Sequence, residues 1–535
     1  QDSINNPNYQ VNTAQRILNG NINTKGVTVG GYGEITYNRK EKNNAEVDVQ
    51  RLVLLFGYKF DDRTQFITEV EFEHVKEVFV EQAFVNQLKK MVPSTSTLNY
   101  LKYFIAFFNR NIDDHIPEEY LQEIYGESLY ASDKFDFIAP KYHRLLNYHA
   151  AHDIGHAIND KNMNVGCTSF GAWGNKTIDG KLIVARNFDF YVGDEFAKNK
   201  IINFVNPEKG KKFMMVSWAG MIGVVSGMNI EGLTVTINAS KSEIPTSAAT
   251  PISILAREIL QYATTIDEAF EIAKKRKVFV SESILIGSAN DGKTALIEVT
   301  PSQVHLVLPK NNLQLCANHF QSNAFDKEEI HLENIEKSAS PYRYKRLQEL
   351  VDKDTISPSI AIGILRDKRG IGNKDIGLGN EKALNQLIAH HGVVFSPNDL
   401  KVWVSTTNYN LGAYTCYDLN KVFTIADTLN TEMEIFSSSI AEDPIVSNGV
   451  LSSYDTFLML KESLQDGKGN SKDIMRFQAL NPEYYETYWI AGNWYQNKGE
   501  KLKAIKQYKL ALEKEIASQY EKEEIQAEIN KLEKQ

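Results

Sequence analysis

Downstream of residue 167 the sequence keeps its strand-forming and helix-forming stretches in separate blocks, and this segregation limits the fold more than any other feature. Strand-like stretches recur at 182–186, 213–218, 223–228 and 233–238. A helical pair follows, with Pro251 near its start and an end near Lys275; proline is well tolerated in a helix's first turn. Strands return at 283–288 and 294–300, joined by Ala289-Asn290-Asp291-Gly292, whose Asp-Gly pair is a strong hairpin signal. Further strands are expected at 304–308, 314–318, 393–395 and 402–405. A doubly wound parallel sheet needs strict strand–helix alternation, so blocks of this kind predict a layered α+β fold.

The chain has 535 residues, enough for two to four domains, and its 42% hydrophobic and 24% charged residues are ordinary for a globular protein. A net charge of −9 argues against a general nucleic-acid surface. No apolar run approaches the roughly 18–20 residues of a membrane helix. Three cysteines, Cys167, Cys316 and Cys416, are too few and too odd for a disulfide framework. The start at Gln1 rather than Met is read as a removed leader or a trimmed start, which suggests an extracytoplasmic location.

The first 26 residues, rich in Asn, Gln and Thr, are expected to form a flexible arm. Four strands are expected next, at 30–37, 47–60, 64–74 and 78–85. In the third, Phe66, Val70 and Phe72 alternate with Glu69, Glu71 and Glu73. The wording GGYGEITYN and RLVLLFGYKFDDRTQFITEVEFEHVKEVFVEQAFV over roughly 27–87 resembles the opening strands of bacterial outer-membrane porins. A membrane barrel needs at least about eight strands to close its edges. Membrane association is therefore left open between a meander packed on the next domain, a fusion remnant and part of a barrel.

Helices are expected at 98–109, 118–130 and 141–158. The last contains His149, His152, Asp153 and His156, whose i, i+3, i+7 spacing could present imidazoles to zinc. No HExxH pattern or carboxylate cluster accompanies them, so a structural or processing role near the following junction is preferred and no metal is assigned.

That junction is Asn164-Val165-Gly166-Cys167-Thr168-Ser169-Phe170, followed some twenty residues on by Arg186-Asn187-Phe188-Asp189. A lone cysteine is more often a small buried hydrophobe, the reading given to Cys316 and Cys416. The company of Cys167 reverses it. A thiol is a nucleophile as its thiolate. A free α-amino group titrates near about 8, well suited to proton transfer at neutral pH. In this chain the Cys167 nitrogen lies within the Gly166–Cys167 peptide bond. Freeing it requires cleavage there, and Gly166 lets the backbone strain without a side-chain clash.

The segments GCTSFGAWGNKTIDGKLIVARNFDF, GMNIEGLTVTINAS, SESILIGSANDGKTALIEVTP, LCANHF, SPYRYKRLQEL, HHGVVFSPNDLKVWVS and LGAYTCYDL resemble, in order, the superfamily of choloylglycine hydrolase and acyl-CoA:6-aminopenicillanic acid acyltransferase, including its autoproteolytic branch. The resemblance covers about 140–425. It implies an αββα sandwich of the N-terminal-nucleophile hydrolases over 88–445, with 88–166 before the nucleophile and 167–445 after it. It implies Cys167 as nucleophile, and Arg186 and Asp189 as the pair that positions thiol and new amine. Asn238 and Asn318 are implied at the oxyanion site, and Arg343 as a distal arginine, with Arg346 a second choice. An arginine beside a thiol is expected to lower its pKa. No cofactor is implied. The partner implied is a small N-acyl amide, and an oligomer is possible. Hydrolysis to water, acyl transfer to an amine, and a non-catalytic cell-envelope binding role remain alternatives.

Residues 446–535 are expected to be helical. Trp494, Tyr495, Gly499, Ala504, Tyr508 and Ala511 fall at the spacing of one tetratricopeptide repeat. One repeat cannot bury its own face, so a helical hairpin docked on the preceding domain is preferred.

Overall fold

A computed structural model describes residues 26–38, 46–59, 65–72, 82, 110–150, 153, 166–191, 194–243, 248–425 and 433–534. The chain divides into two compact units, 1–78 and 79–535. In the first, β1 (Gly26–Asn38), β2 (Glu46–Lys59) and β3 (Gln65–Phe72) pair in chain order as an antiparallel sheet. The β1–β2 register slips between Glu34 and Ile35, where one strand carries an extra residue. The fourth strand expected at 78–85 lies outside the described residues apart from Gln82. So do the helix expected at 98–109 and the arm expected over 1–26, save Gly26 at the start of β1.

The second unit opens with two helices, α1 (Glu118–Ser128) and α2 (Lys141–His149). Then β4 (Thr168–Ala172) and β5 (Ile183–Phe188) start one sheet. The chain leaves it to build a second sheet from β6 (Lys200–Val205), β7 (Phe213–Trp218), β8 (Ser226–Asn229), β9 (Leu233–Ala239), β10 (Glu282–Ser288), β11 (Lys293–Val299) and β12 (Val304–Val307). It returns through β13 (Leu313–Cys316), β14 (His391–Ser396), β15 (Lys401–Ser405) and β16 (Tyr414–Asp418). The sheet orders are β12-β11-β10-β9-β8-β7-β6 and β13-β4-β5-β14-β15-β16. Neighbouring strands in both sheets run antiparallel.

Strand alternation explains the layers. Val184, Val393, Phe395, Val402 and Val404 of one sheet share a buried cluster with Met214, Val216, Met228, Leu285 and Leu296 of the other. The residues between them face outward, because successive strand side chains point to opposite faces. Met215, Val235, Ile237, Ile284, Ile286 and Ile297 pack with the helical pair α3 (Ile252–Tyr262) and α4 (Ile266–Lys275). On the opposite side Ile183, Ala185, Val394 and Trp403 pack with α5 (Ser340–Lys353) and α6 (Pro358–Leu365). The result is helix, sheet, sheet, helix, a layered α+β fold as the segregated blocks predicted and the αββα sandwich that the resemblance implied.

The C-terminal helices are α7 (Val450–Gln465), α8 (Ser471–Leu480), α9 (Tyr485–Asn497), α10 (Lys501–Leu512) and α11 (Gln519–Lys534). Gly492 lets α9 approach α10, since a Cβ there would strike the Tyr508 ring. Phe457, Phe477, Tyr485, Trp494 and Tyr508 share one cluster with Leu387, Tyr409 and Leu411 of the sandwich. The apolar residues of the repeat-like hairpin share this cluster with α7, α8 and α11 as well as with those sandwich residues. Among the described residues no helix is long and apolar enough to cross a membrane.

Candidate active site

Antiparallel pairing of β4 with β5 sets Thr168 opposite Asn187 and Ser169 opposite Arg186. Cys167 and Asp189 flank that ladder, so the tight sequence spacing becomes proximity at one end of the sheet. The Gly166 N–H donates to the Asp189 carbonyl at 3.1 Å, and the Cys167 Sγ lies 3.9 Å from the same oxygen.

Arg186 is fully buried and forms the hub. Its Nη2 is 3.6 Å from the Cys167 sulfur and donates to the Ile237 carbonyl. Its Nη1 donates to the Val225 carbonyl at 2.6 Å and to the Ser226 hydroxyl. The guanidinium also lies 4.3 Å over the Phe188 ring. A planar fork can serve these acceptors together, which a lysine ammonium cannot.

The Asp189 carboxylate is buried, and neither oxygen has a hydrogen-bond partner. Burial raises its pKa to about 7, against the lowering pull of Arg343 and Arg186. The expectation of a thiol pKa lowered by Arg186 is corrected. Burial pushes the Cys167 thiol above its ordinary value and outweighs the arginine. Cys167 is 1% exposed and belongs to the same cluster as Leu145, Leu146 and Ala150, upstream of the junction. The sulfur is closed to solvent.

Asn238 sits on β9, where its Oδ1 accepts from Ser169 at 3.1 Å and its Nδ2 donates to the Ala317 carbonyl at 3.3 Å. This amide ties the two sheets together. Asn318 follows β13; its Nδ2 donates to the Ala239 carbonyl at 3.0 Å and its Oδ1 accepts from Arg343 Nη2 at 2.6 Å. Each amide nitrogen carries two hydrogens, so each contact leaves one for a further acceptor. Arg343 is buried on α5, and its Nη1 also donates to the Glu381 carbonyl at 3.2 Å. Arg346, the second choice, instead forms a bidentate pair with Asp367 at 2.9 Å and a contact to Glu349. It belongs to a salt-bridge network and not to the site.

His149 is structural. Its Nδ1 is 2.9 Å from the Leu145 carbonyl and its Nε2 accepts the Ile222 N–H at 3.1 Å, so both ring nitrogens are engaged. Asp153 is buried and accepts from the Ile252 N–H at 2.9 Å. His152 and His156 lie outside the described residues. Among the described residues no group of three or more His, Cys, Asp or Glu side chains could hold a metal. Cys316 and Cys416 are buried and free, as small hydrophobes.

Three features of the site carried no signal when the sequence was read. Ser226 links Arg186 to His391, whose Nε2 is 2.8 Å from the serine oxygen, and His390 Nδ1 is 2.8 Å from His391 Nδ1. Burial drives both imidazoles well below their ordinary pKa, so they are neutral. Gln386 donates from Nε2 to the Gly166 carbonyl at 2.9 Å. Glu381, whose carbonyl holds Arg343, has its carboxylate near Tyr484 Oη at 3.3 Å and Tyr485 Oη at 3.5 Å, where the C-terminal helices begin their grip on the domain.

Two antiparallel sheets covered by helices on both sides form the αββα sandwich, with Cys167 at a strand start and Arg186 of the next strand beside it. Residues 176–410 match the family model described as acyl-coenzyme A:6-aminopenicillanic acid acyl-transferase. An Aquifex aeolicus uncharacterized protein is 44% identical over 52 residues, 9% of this chain and 12% of its own length. Protein dcd1B of Dictyostelium discoideum is 24% identical over 193 residues, 36% of each chain. An uncharacterized protein of Archaeoglobus fulgidus is 27% identical over 131 residues, 24% of this chain and 21% of its own. The chain thus spans little more than a third, at most, of the curated relatives it matches. Similar solved structures include a Caenorhabditis elegans ortholog of N-acylethanolamine-hydrolyzing acid amidase, at 16% identity and a TM-score of 0.32, covering 43% of this chain and 93% of that one. A mutant of the conjugated bile acid hydrolase from Clostridium perfringens is 14% identical with a TM-score of 0.33, covering 48% and 93%.

Proposed function

We propose that this chain is a cysteine amidohydrolase, activated by cutting its own Gly166–Cys167 bond, that cleaves the linear C–N amide of a small N-acyl substrate. The observation that carries this reading is the buried Asp189 carboxylate without a hydrogen-bond partner, beside a thiol held by Arg186. A buried carboxylate of this kind is destabilising unless it gains a cation. The ammonium released at Cys167 by the cut would be that cation. In return Asp189 would raise the amine's pKa and fix its position.

In the cut enzyme the α-amine takes the thiol proton and the sulfur attacks the substrate carbonyl. In this reading the free amide hydrogens of Asn238 and Asn318 stabilise the oxyanion, and Arg343 fixes Asn318 through its Oδ1. The amine then returns the proton to the leaving nitrogen. Water, activated by the same amine, hydrolyses the acyl-thioester.

The family match gives a specific reason for the second reading, in which an amine replaces water as acyl acceptor. Both readings share the acyl-enzyme. A panel of N-acyl amides, assayed with and without an added amine, separates them by product. A Cys167→Ala variant that keeps full amide-cleaving activity would rule out both.

A further inference from the structure

We propose that Gln386 is the oxyanion donor for the self-cleavage step, distinct from the asparagines that serve the substrate reaction. This rests on the reading that the chain cuts itself at Gly166–Cys167. The carbonyl attacked in that step is that of Gly166, and its oxygen accepts a hydrogen bond from Gln386 Nε2 at 2.9 Å. Neither Asn238 nor Asn318 contacts it; their amide nitrogens donate to Ala317 and Ala239.

The local structure aims this one side chain. Asn385 is fully buried, with its Nδ2 donating to the Tyr409 carbonyl and its Oδ1 accepting the Leu387 N–H, both at 3.0 Å. Its own N–H donates to the Asp367 carbonyl at 2.8 Å. Leu387 is buried in the left-handed region at φ 56°, rare for a non-glycine residue. Strain of this kind persists only where the surroundings enforce it. Gln386, between them and only 4% exposed, is thereby pointed at the junction. The partner position matches: a Cβ at 166 would collide with the Gln386 amide, so only glycine lets this carbonyl be gripped so closely.

The step balances. Sγ of Cys167 bonds to the Gly166 carbonyl carbon as its proton passes to the Cys167 nitrogen. The carbonyl oxygen becomes an oxyanion held by Gln386, and it collapses as the C–N bond breaks. A water molecule then hydrolyses the Gly166 thioester, leaving a Gly166 carboxylate, a free thiol and a free α-amine.

The test follows freshly translated full chain on denaturing gels. Gln386→Leu should slow appearance of the two fragments by about 100-fold, the scale of losing one oxyanion donor. Gln386→Glu keeps the shape and donates only when protonated, so its rate relative to the parent should rise as the pH falls from about 8 to about 5. A purely structural role would leave that ratio flat. Cleavage of the parent but not of Cys167→Ala, with Gln386→Leu at parental rate, overturns the assignment and leaves self-cleavage standing. Should Gln386→Leu lose its cooperative melting transition, the pH ratio of Gln386→Glu decides alone. Cleavage that persists in Cys167→Ala defeats the self-cleavage reading itself.

Discussion

Asp189 gives a quantity that can be measured on the uncut chain. In a Cys167→Ala background, which holds the chain intact, Asp189→Asn replaces a titrating carboxyl with a neutral amide of the same shape. Burial raises the folded carboxyl's pKa to about 7 from its ordinary 3.8. Between those values the folded state holds a proton that the unfolded state has released, so stability falls as pH rises through that window. Each pH unit contributes about 1.4 kcal/mol, about 4 kcal/mol in all, and no further loss occurs above about pH 7. Urea unfolding followed by tryptophan fluorescence, at steps from pH 4 to pH 8, should show Asp189→Asn gaining on its parent by that amount. The gain should be complete near pH 7. In cleaved parent protein the new ammonium should pair with the carboxylate and abolish this slope. Identical pH profiles for the Asp and Asn forms would refute a buried, unpaired carboxylate at 189.

Arg186→Lys should lower the melting temperature and abolish turnover, because the lysine cannot serve the Val225, Ser226 and Ile237 acceptors together; each buried acceptor left unmet costs about 1–3 kcal/mol. Asn318→Ala in the cut enzyme should reduce kcat by 100- to 1000-fold, on the order found for oxyanion donors, with the cleavage of the chain itself unaffected. Truncation after residue 445 should expose Leu387, Tyr409 and Leu411 and give an unstable or aggregating protein; a soluble truncated chain with full activity would show the C-terminal helices to be an independent module.

How much could be read from the sequence follows from how local each feature is. Cys167, Arg186 and Asp189 lie on two consecutive antiparallel strands, so their spacing reflects the ladder that sets Ser169 against Arg186. The layered fold was legible because β-rich and helical blocks are separate in the chain. Ser226, Gln386 and the His390–His391 pair were not legible. They reach the site across 40 to 220 residues of sequence separation, and a lone Gln or Ser carries no pattern of its own. The thiol pKa runs opposite to the sequence expectation because the effect of Arg186 can be anticipated from a neighbouring charge, whereas the larger effect of burial depends on where the folded chain puts the sulfur within its core. Arg346 and Arg343 lie three residues apart on one helix, and only the partner each finds, Asp367 or Asn318, tells them apart.

The central claim is that the sulfur becomes active only as the side chain of a new amino terminus. Intact-mass analysis with N-terminal sequencing of the purified, active protein tests it most directly. The account predicts two fragments, one ending at Gly166 and one beginning at Cys167, appearing in step with activity and absent from Cys167→Ala. An active protein that remains a single uncut chain across that bond would contradict it.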